Sequence, residues 1–201
     1  EFFKKNGYWT GSVGKVFHSP RHEHGEIAWS EFLRFVNDEL PVVTKARKKF
    51  EAENGSVDLQ KNRKAWRVLE KKAKATLDAQ TPPGYGASGL SDAQHKDGKN
   101  ARQVVKWLKE KPNGDKPFFM ACGIQKPHVP FLAPQKYFDL YPTSGIVYKP
   151  DPRNLWETLP KRAMNTRFKE FGFEFSKEND ALRREYMQAY HACISFIDAQ
   201  V

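Results

Sequence analysis

Two short stretches of the 201-residue chain pair an ammonium with an imidazole. In the first, Lys15 and His18 flank Val16-Phe17. In the second, Lys126 and His128 flank Pro127. Lysine offers fixed positive charge to developing negative charge, and histidine can hand a proton to a leaving oxygen near neutral pH. Such pairs suit an anionic substrate, although either pair taken singly also matches an ordinary solvated loop. Arg21-His22-Glu23-His24 alternates metal-ligand types, but without further ligands it reads as an exposed loop. His95 and His191 show no partner in the sequence and fit surface or core roles. Cys122 and Cys193 sit in apolar patterns without CxxC spacing and read as small core residues.

The elements around the two loops would hold them at strand ends. Glu1–Asn6 reads as the tail of a helix with Gly7 as its left-handed cap. Tyr8–Val13, aromatic and β-branched, reads as a strand, and Gly14–Arg21 as the loop that follows it. Trp29, Phe32, Leu33, Val36 and Leu40 recur at helical spacing, with Pro41 ending that segment. Leu59, Trp66, Leu69, Ala73 and Leu77 give a second amphipathic pattern, broken at Thr81–Gly86. Asp92–Lys111 reads as a helix with Asp97 as its cap and Ala101, Val104, Val105 and Leu108 as its apolar stripe. After a turn at Asn113-Gly114, Pro117–Ile124 is a nearly continuous apolar run, as expected of a strand buried on both faces. Gln125–Pro134 is then a loop stiffened by three prolines, Pro134–Leu140 a short helix, and Tyr141–Phe175 a surface connection. The last helix opens at Ser176, lined by Leu182, Tyr186, Ala189, Tyr190, Cys193 and Ile197, and shows no stop signal before Val201. This order predicts an α/β fold, mainly a parallel sheet flanked by helices.

Composition bounds the function classes. Hydrophobic residues make up 39% of the chain and aromatics 13%, enough apolar surface for a packed core. The net charge of +10 attracts polyanions without choosing among nucleic acid, anionic lipid and sulfated sugar. Much of the excess falls in Lys45–Lys74, which reads as a helical insert with a solvated basic face. No apolar run approaches a membrane span, and no nucleic-acid-binding motif is present.

Three separated segments, in order, resemble the sulfatase family of the alkaline-phosphatase-like superfamily. Gly14-Lys15-Val16-Phe17-His18 is similar to the iduronate-2-sulfatase form of that family's GK segment. Lys116–Phe131, with Lys126-Pro127-His128-Val129-Pro130-Phe131, is similar to its strand and Lys-Pro-His loop, which Pro134–Pro142 continues. Arg184–Val201 is similar to the helix preceding its second metal-binding segment. The resemblance implies a partial alkaline-phosphatase-like domain, incomplete at both ends. Residues 1–201 would be an interior part of one catalytic domain, with a basic helical insert at about 23–88. It implies hydrolysis of sulfate from a sulfated carbohydrate such as a glycosaminoglycan. The nucleophile would be a formylglycine hydrate made by a formylglycine-generating or sulfatase-maturating enzyme, and calcium would neutralise the sulfate oxygens. A secreted, periplasmic or lysosomal setting follows by resemblance.

Carried across residue by residue, Lys15 and His18 would sit by the formylglycine and the sulfate. His128 would contact sulfate or protonate the leaving alcohol, and Lys126 would bind sulfate or a substrate carboxylate. Neither Cys122 nor Cys193 lies in Cys-x-Pro-x-Arg, so neither is the formylglycine precursor. The calcium ligands fall outside this sequence too, so these residues alone are expected to be inactive. Two other readings remain open. One is phosphate or phosphonate monoester hydrolysis within the same superfamily. The other is a non-catalytic polyanion-binding module built on Lys45–Lys74, which predicts salt-sensitive binding to DNA or heparin.

Overall fold

The computed structural model describes residues 1–17, 25–35, 41–57, 59, 61–76, 84–149, 155–160 and 180–201. A short helix, α1 (Phe2–Lys5), leads through Gly7, which takes the expected left-handed φ of 85°, into strand β1 (Trp9–Gly14). β1 is the centre of a three-stranded parallel sheet, with β2 (Glu31–Leu33) on one side and β4 (Phe118–Gly123) on the other. Being paired on both edges, it is buried from Thr10 to Gly14. The polar Thr10 is accommodated by exchange with Ser30: Thr10 N–H donates to Ser30 Oγ at 3.1 Å and Ser30 N–H donates to Thr10 Oγ1 at 3.0 Å. That exchange meets the hydrogen-bonding needs of a buried hydroxyl.

The same exchange corrects the helix expected over Trp29–Leu40. Among the described residues of that stretch none is helical: α2 (Gly25–Ala28) ends before it, and Phe32 and Leu33 lie in β2, in register with Ser12 and Val13. A three-residue strand is too short to show a period, and the open edge of β1 supplies the hydrogen bonds that decide it. Val36 and Leu40 lie outside the described residues. Pro41 likewise begins a helix instead of ending one: α3 runs Pro41–Asn54, since a proline at the first helical position gives up only an N–H that would be unpaired anyway. α4 (Arg63–Lys74) folds back on α3. Phe50 meets Trp66 between them with ring centres 5.9 Å apart, and the buried Asn62 amide donates to the carbonyls of Asn54 and Ser56. The expected basic segment is therefore a helical hairpin whose outer faces expose Lys48, Lys49, Lys64, Arg67, Lys71 and Lys72.

A second parallel pair consists of β3 (Tyr85–Ala87), which begins within the expected break Thr81–Gly86, and β5 (Phe131–Ala133), inside the expected loop Gln125–Pro134. Helix α5 (Lys96–Glu110) precedes β4, and α6 (Gln135–Phe138), α7 (Leu155–Thr158) and α8 (Asp180–Asp198) follow β5. The main core lies between β5, α6 and α8. Phe131, Ala133, Tyr137, Phe138, Ala189, Ala192, Cys193 and Phe196 form it, with Tyr186 and Ile197 at its margin. Tyr190, expected on that buried face, is 41% exposed, and Phe196 holds the central place instead. Ser176 lies outside the described residues.

Three further expectations are revised. The strand β4 is not buried on both faces: Phe118 is 48% and Phe119 37% exposed, and Cys122 is exposed, because β4 is an edge strand among the described residues. The buried face of α5 is not the apolar stripe. Val105 and Leu108 are exposed, whereas Asp97, Asn100 and Trp107 are buried. Asp97 is not the cap either, since the N-cap position is His95.

A polar knot joins the 3-10 turn Asp92–Gln94 to α6 and the end of α8. Asp92 Oδ2 accepts from Lys136 Nζ at 2.9 Å, Tyr137 Oη at 2.7 Å and Gln200 Nε2 at 3.2 Å. Burial alone would push this carboxyl up, but the hydrogen bonds from Lys136, Tyr137 and Gln200 hold it below its ordinary value. A carboxylate depressed on folding stabilises the native state above its unfolded pKa, and that contribution is lost as pH falls through the folded pKa. Asp92→Asn is therefore expected to lower stability at pH 7 and to flatten the stability profile below about pH 4. Denaturant titrations at pH 3 to 7 would check this, and parallel wild-type and variant profiles would count against it.

Candidate active site

The two Lys/His loops leave adjacent strands at the same end. β1 and β4 run parallel, and their last residues, Gly14 and Gly123, stand opposite each other. The Lys15 N–H donates to Gly123 O at 2.9 Å, so the pairing continues one residue into the first loop. No side chain fits between them. A Cβ on Gly123 would fall 2.1 to 2.3 Å from the Lys15 backbone and Val16 N, and one on Gly14 would fall 2.3 Å from both Gly123 O and Asn100 Nδ2. Gly14 also has φ +81°, which side-chain-bearing residues rarely adopt. The paired glycines thus let the exits of both loops run in contact at the carboxyl ends of parallel strands, where α/β sheets commonly place ligands.

Lys15 is half-buried at the start of the first loop. Among the described residues its ammonium has no hydrogen-bond or ion-pair partner. Phe17 is 37% exposed, and His18, His22 and His24 lie outside the described residues.

The second loop is held at both ends. At its start, Asp97 accepts the Gln125 N–H at 3.0 Å and the Lys126 N–H at 2.8 Å, one on each carboxylate oxygen. At its end, Phe131 N–H donates to Gly84 O at 2.7 Å as β5 begins beside β3. Across the middle, Lys126, only 6% exposed, turns its ammonium onto Pro130 O. His128 N–H closes a turn onto Gln125 O at 2.9 Å.

His128 itself is exposed, with Nδ1 2.6 Å from Val129 O. A carbonyl only accepts, so Nδ1 carries the hydrogen. The remaining nitrogen, Nε2, is then the atom that takes up and releases a proton.

The loop support was hidden from sequence reasoning. Asp97 and Asn100, three apart and so on one face of α5, both reach the ends of the sheet; Asn100 Nδ2 donates to Gly123 O at 3.1 Å. Two short polar residues at that spacing on the strand-facing side of a helix were the available signal. Desolvation pushes the Cys122 thiol up from its ordinary value, and the Asp97 charge adds to this. Ser88 Oγ and His95 Nε2 are 2.7 Å apart, but His95 is fully buried beside Phe196, with ring centres 4.9 Å apart, and reads as a core histidine. Among the described residues no three His, Cys, Asp or Glu side chains group to hold a metal, so these residues do not by themselves fit calcium. Nor is any described helix long and apolar enough to cross a membrane.

Comparison with known proteins gives relatives along the whole chain. A protein described as a sulfatase from Formosa agariphila is 30% identical over 211 aligned positions, covering 100% of this chain and 36% of the relative. Iduronate 2-sulfatase of Mus musculus is 29% identical over 220 positions, and that of Homo sapiens 26% over 215, each covering 100% of this chain and 35% of the relative. The chain therefore spans about a third of the length of these relatives. No protein-family model matches it.

Proposed function

We propose that the intact protein hydrolyses a sulfate ester, as its similarity to proteins described as sulfatases suggests, with Lys15, His18 and His128 acting at the sulfate. What supports this is the pair of loop exits at Gly14 and Gly123, which start both cationic loops from one end of one sheet. Lys15 places an ammonium where negative charge grows on the sulfate oxygens. His128, protonated on both nitrogens, gives the Nε2 proton to the leaving oxygen as the S–O bond breaks, while Nδ1–H stays on Val129 O. Lys126 uses one of its three N–H donors on Pro130 O and would offer others to sulfate or a substrate carboxylate.

The same proposal has the formylglycine and the calcium supplied by residues other than these, with a formylglycine-generating or sulfatase-maturating enzyme as partner. The substrate class is a sulfated carbohydrate, of which glycosaminoglycans are one kind, met in a secreted, periplasmic or lysosomal setting. Assaying the full-length protein on 4-nitrophenyl sulfate and 4-nitrophenyl phosphate tests this directly. The proposal expects faster turnover of the sulfate; a preference for phosphate would instead favour a phosphate or phosphonate monoester hydrolase.

A further inference from the structure

Asp97 is buried, 3% exposed, in the first turn of α5, and its hydrogen bonds go to neither the Lys15 nor the His128 side chain. Its two oxygens accept from successive N–H groups, Gln125 and Lys126, immediately before Pro127 and His128. Charge-assisted bonds of this kind are about twice as strong as neutral ones. The first turn of a helix also favours a negative charge. Asn100, one turn on and fully buried, donates to Gly123 O at the end of the same strand and approaches Asp97 Oδ1 at 3.4 Å. The strand end and the loop start are thus tied to one helix face at adjacent points. Beyond that tie, His128 is exposed, and among the described residues its imidazole is oriented by one hydrogen bond, to Val129 O within the same loop.

We infer that Asp97 is a positioning residue that fixes the Gln125–His128 turn so that Nε2 of His128 faces the leaving oxygen. This rests on the sulfate-ester reading above. An Asn at 97 keeps the shape but turns one acceptor into a donor facing a backbone N–H, so one of the two bonds is lost. Misplacement of a catalytic group by about 1 Å costs on the order of 10²-fold in rate.

Because the proposed effect passes through proton donation, it should depend on the leaving group. In the full-length protein, Asp97→Asn is expected to lower kcat for an alkyl sulfate by about 10- to 100-fold with KM nearly constant. The loss for 4-nitrophenyl sulfate, whose phenolate departs without a proton, should be several-fold smaller. On a His128→Gln background Asp97→Asn should cost little more, since both changes disable one function. Equal losses for both substrates, or losses that simply add to those of His128→Gln, would overturn the inference in favour of a general structural role. A second readout does not need activity: hydrogen exchange of the Gln125 and Lys126 amides should accelerate in Asp97→Asn while the rest of α5 keeps its protection. Unchanged exchange there overturns the inference whatever the assay gives. A wild-type protein inactive on both sulfates removes the sulfate-ester reading and with it the role of His128 as donor to that leaving group.

Discussion

Replacing His128 by glutamine is expected to slow hydrolysis of an alkyl sulfate by about 10³-fold, within the range general acid catalysis supplies. The alkoxide leaving group is strongly basic, so its departure without a proton is unfavourable. Glutamine can still donate a hydrogen bond but cannot transfer a proton at neutral pH. For 4-nitrophenyl sulfate the loss should be far smaller, because the departing phenolate already holds its charge well. That contrast separates a proton donor from a residue that only contacts sulfate, which would cost both substrates alike. Steady-state kinetics on the two esters measure it. His128 is exposed, so the substitution should leave the folded structure intact.

Lys15→Met should behave differently. In the proposed role its ammonium would serve the sulfate whichever alcohol leaves, so kcat is expected to fall by about 10²- to 10³-fold on both esters. The backbone contribution of Lys15, its N–H bond to Gly123 O, survives the change, so the melting temperature should move little. A large drop in melting temperature would mark Lys15 as structural. A loss confined to the alkyl ester would exchange the roles assigned to Lys15 and His128.

Chain order and residue type made part of this architecture legible. The apolar run before Gln125, the helix before it and the aromatic strand before Lys15 all appear near their expected positions, and all the observed strand pairs are parallel. Strands of three residues were not legible. Glu31–Leu33 and Tyr85–Ala87 carry no periodicity of their own and form because a neighbouring strand offers an unpaired edge.

The buried side of α5 was misread for a different reason. Its strand-facing side carries Asp97 and Asn100 where it serves the ends of β1 and β4, and Trp107 further along against Trp9, while Val105 and Leu108 are exposed. Hydrophobicity alone selects the wrong side of such a helix. Lys15, Lys126 and His128 could be picked out as candidates from residue type and loop position. The support of the second loop by Asp97 depends on a contact across 29 residues, whereas Lys126 reaches Pro130 only four residues on, through the folded shape of its own loop.

The most direct test is a crystal structure of the intact protein grown with inorganic sulfate. One tetrahedral ion should bridge the two loops, with the amine of residue 15 and the outer ring nitrogen of residue 128 each about 3 Å from its oxygens. Finding those two groups on separate surfaces, with no anion between them, would contradict the account.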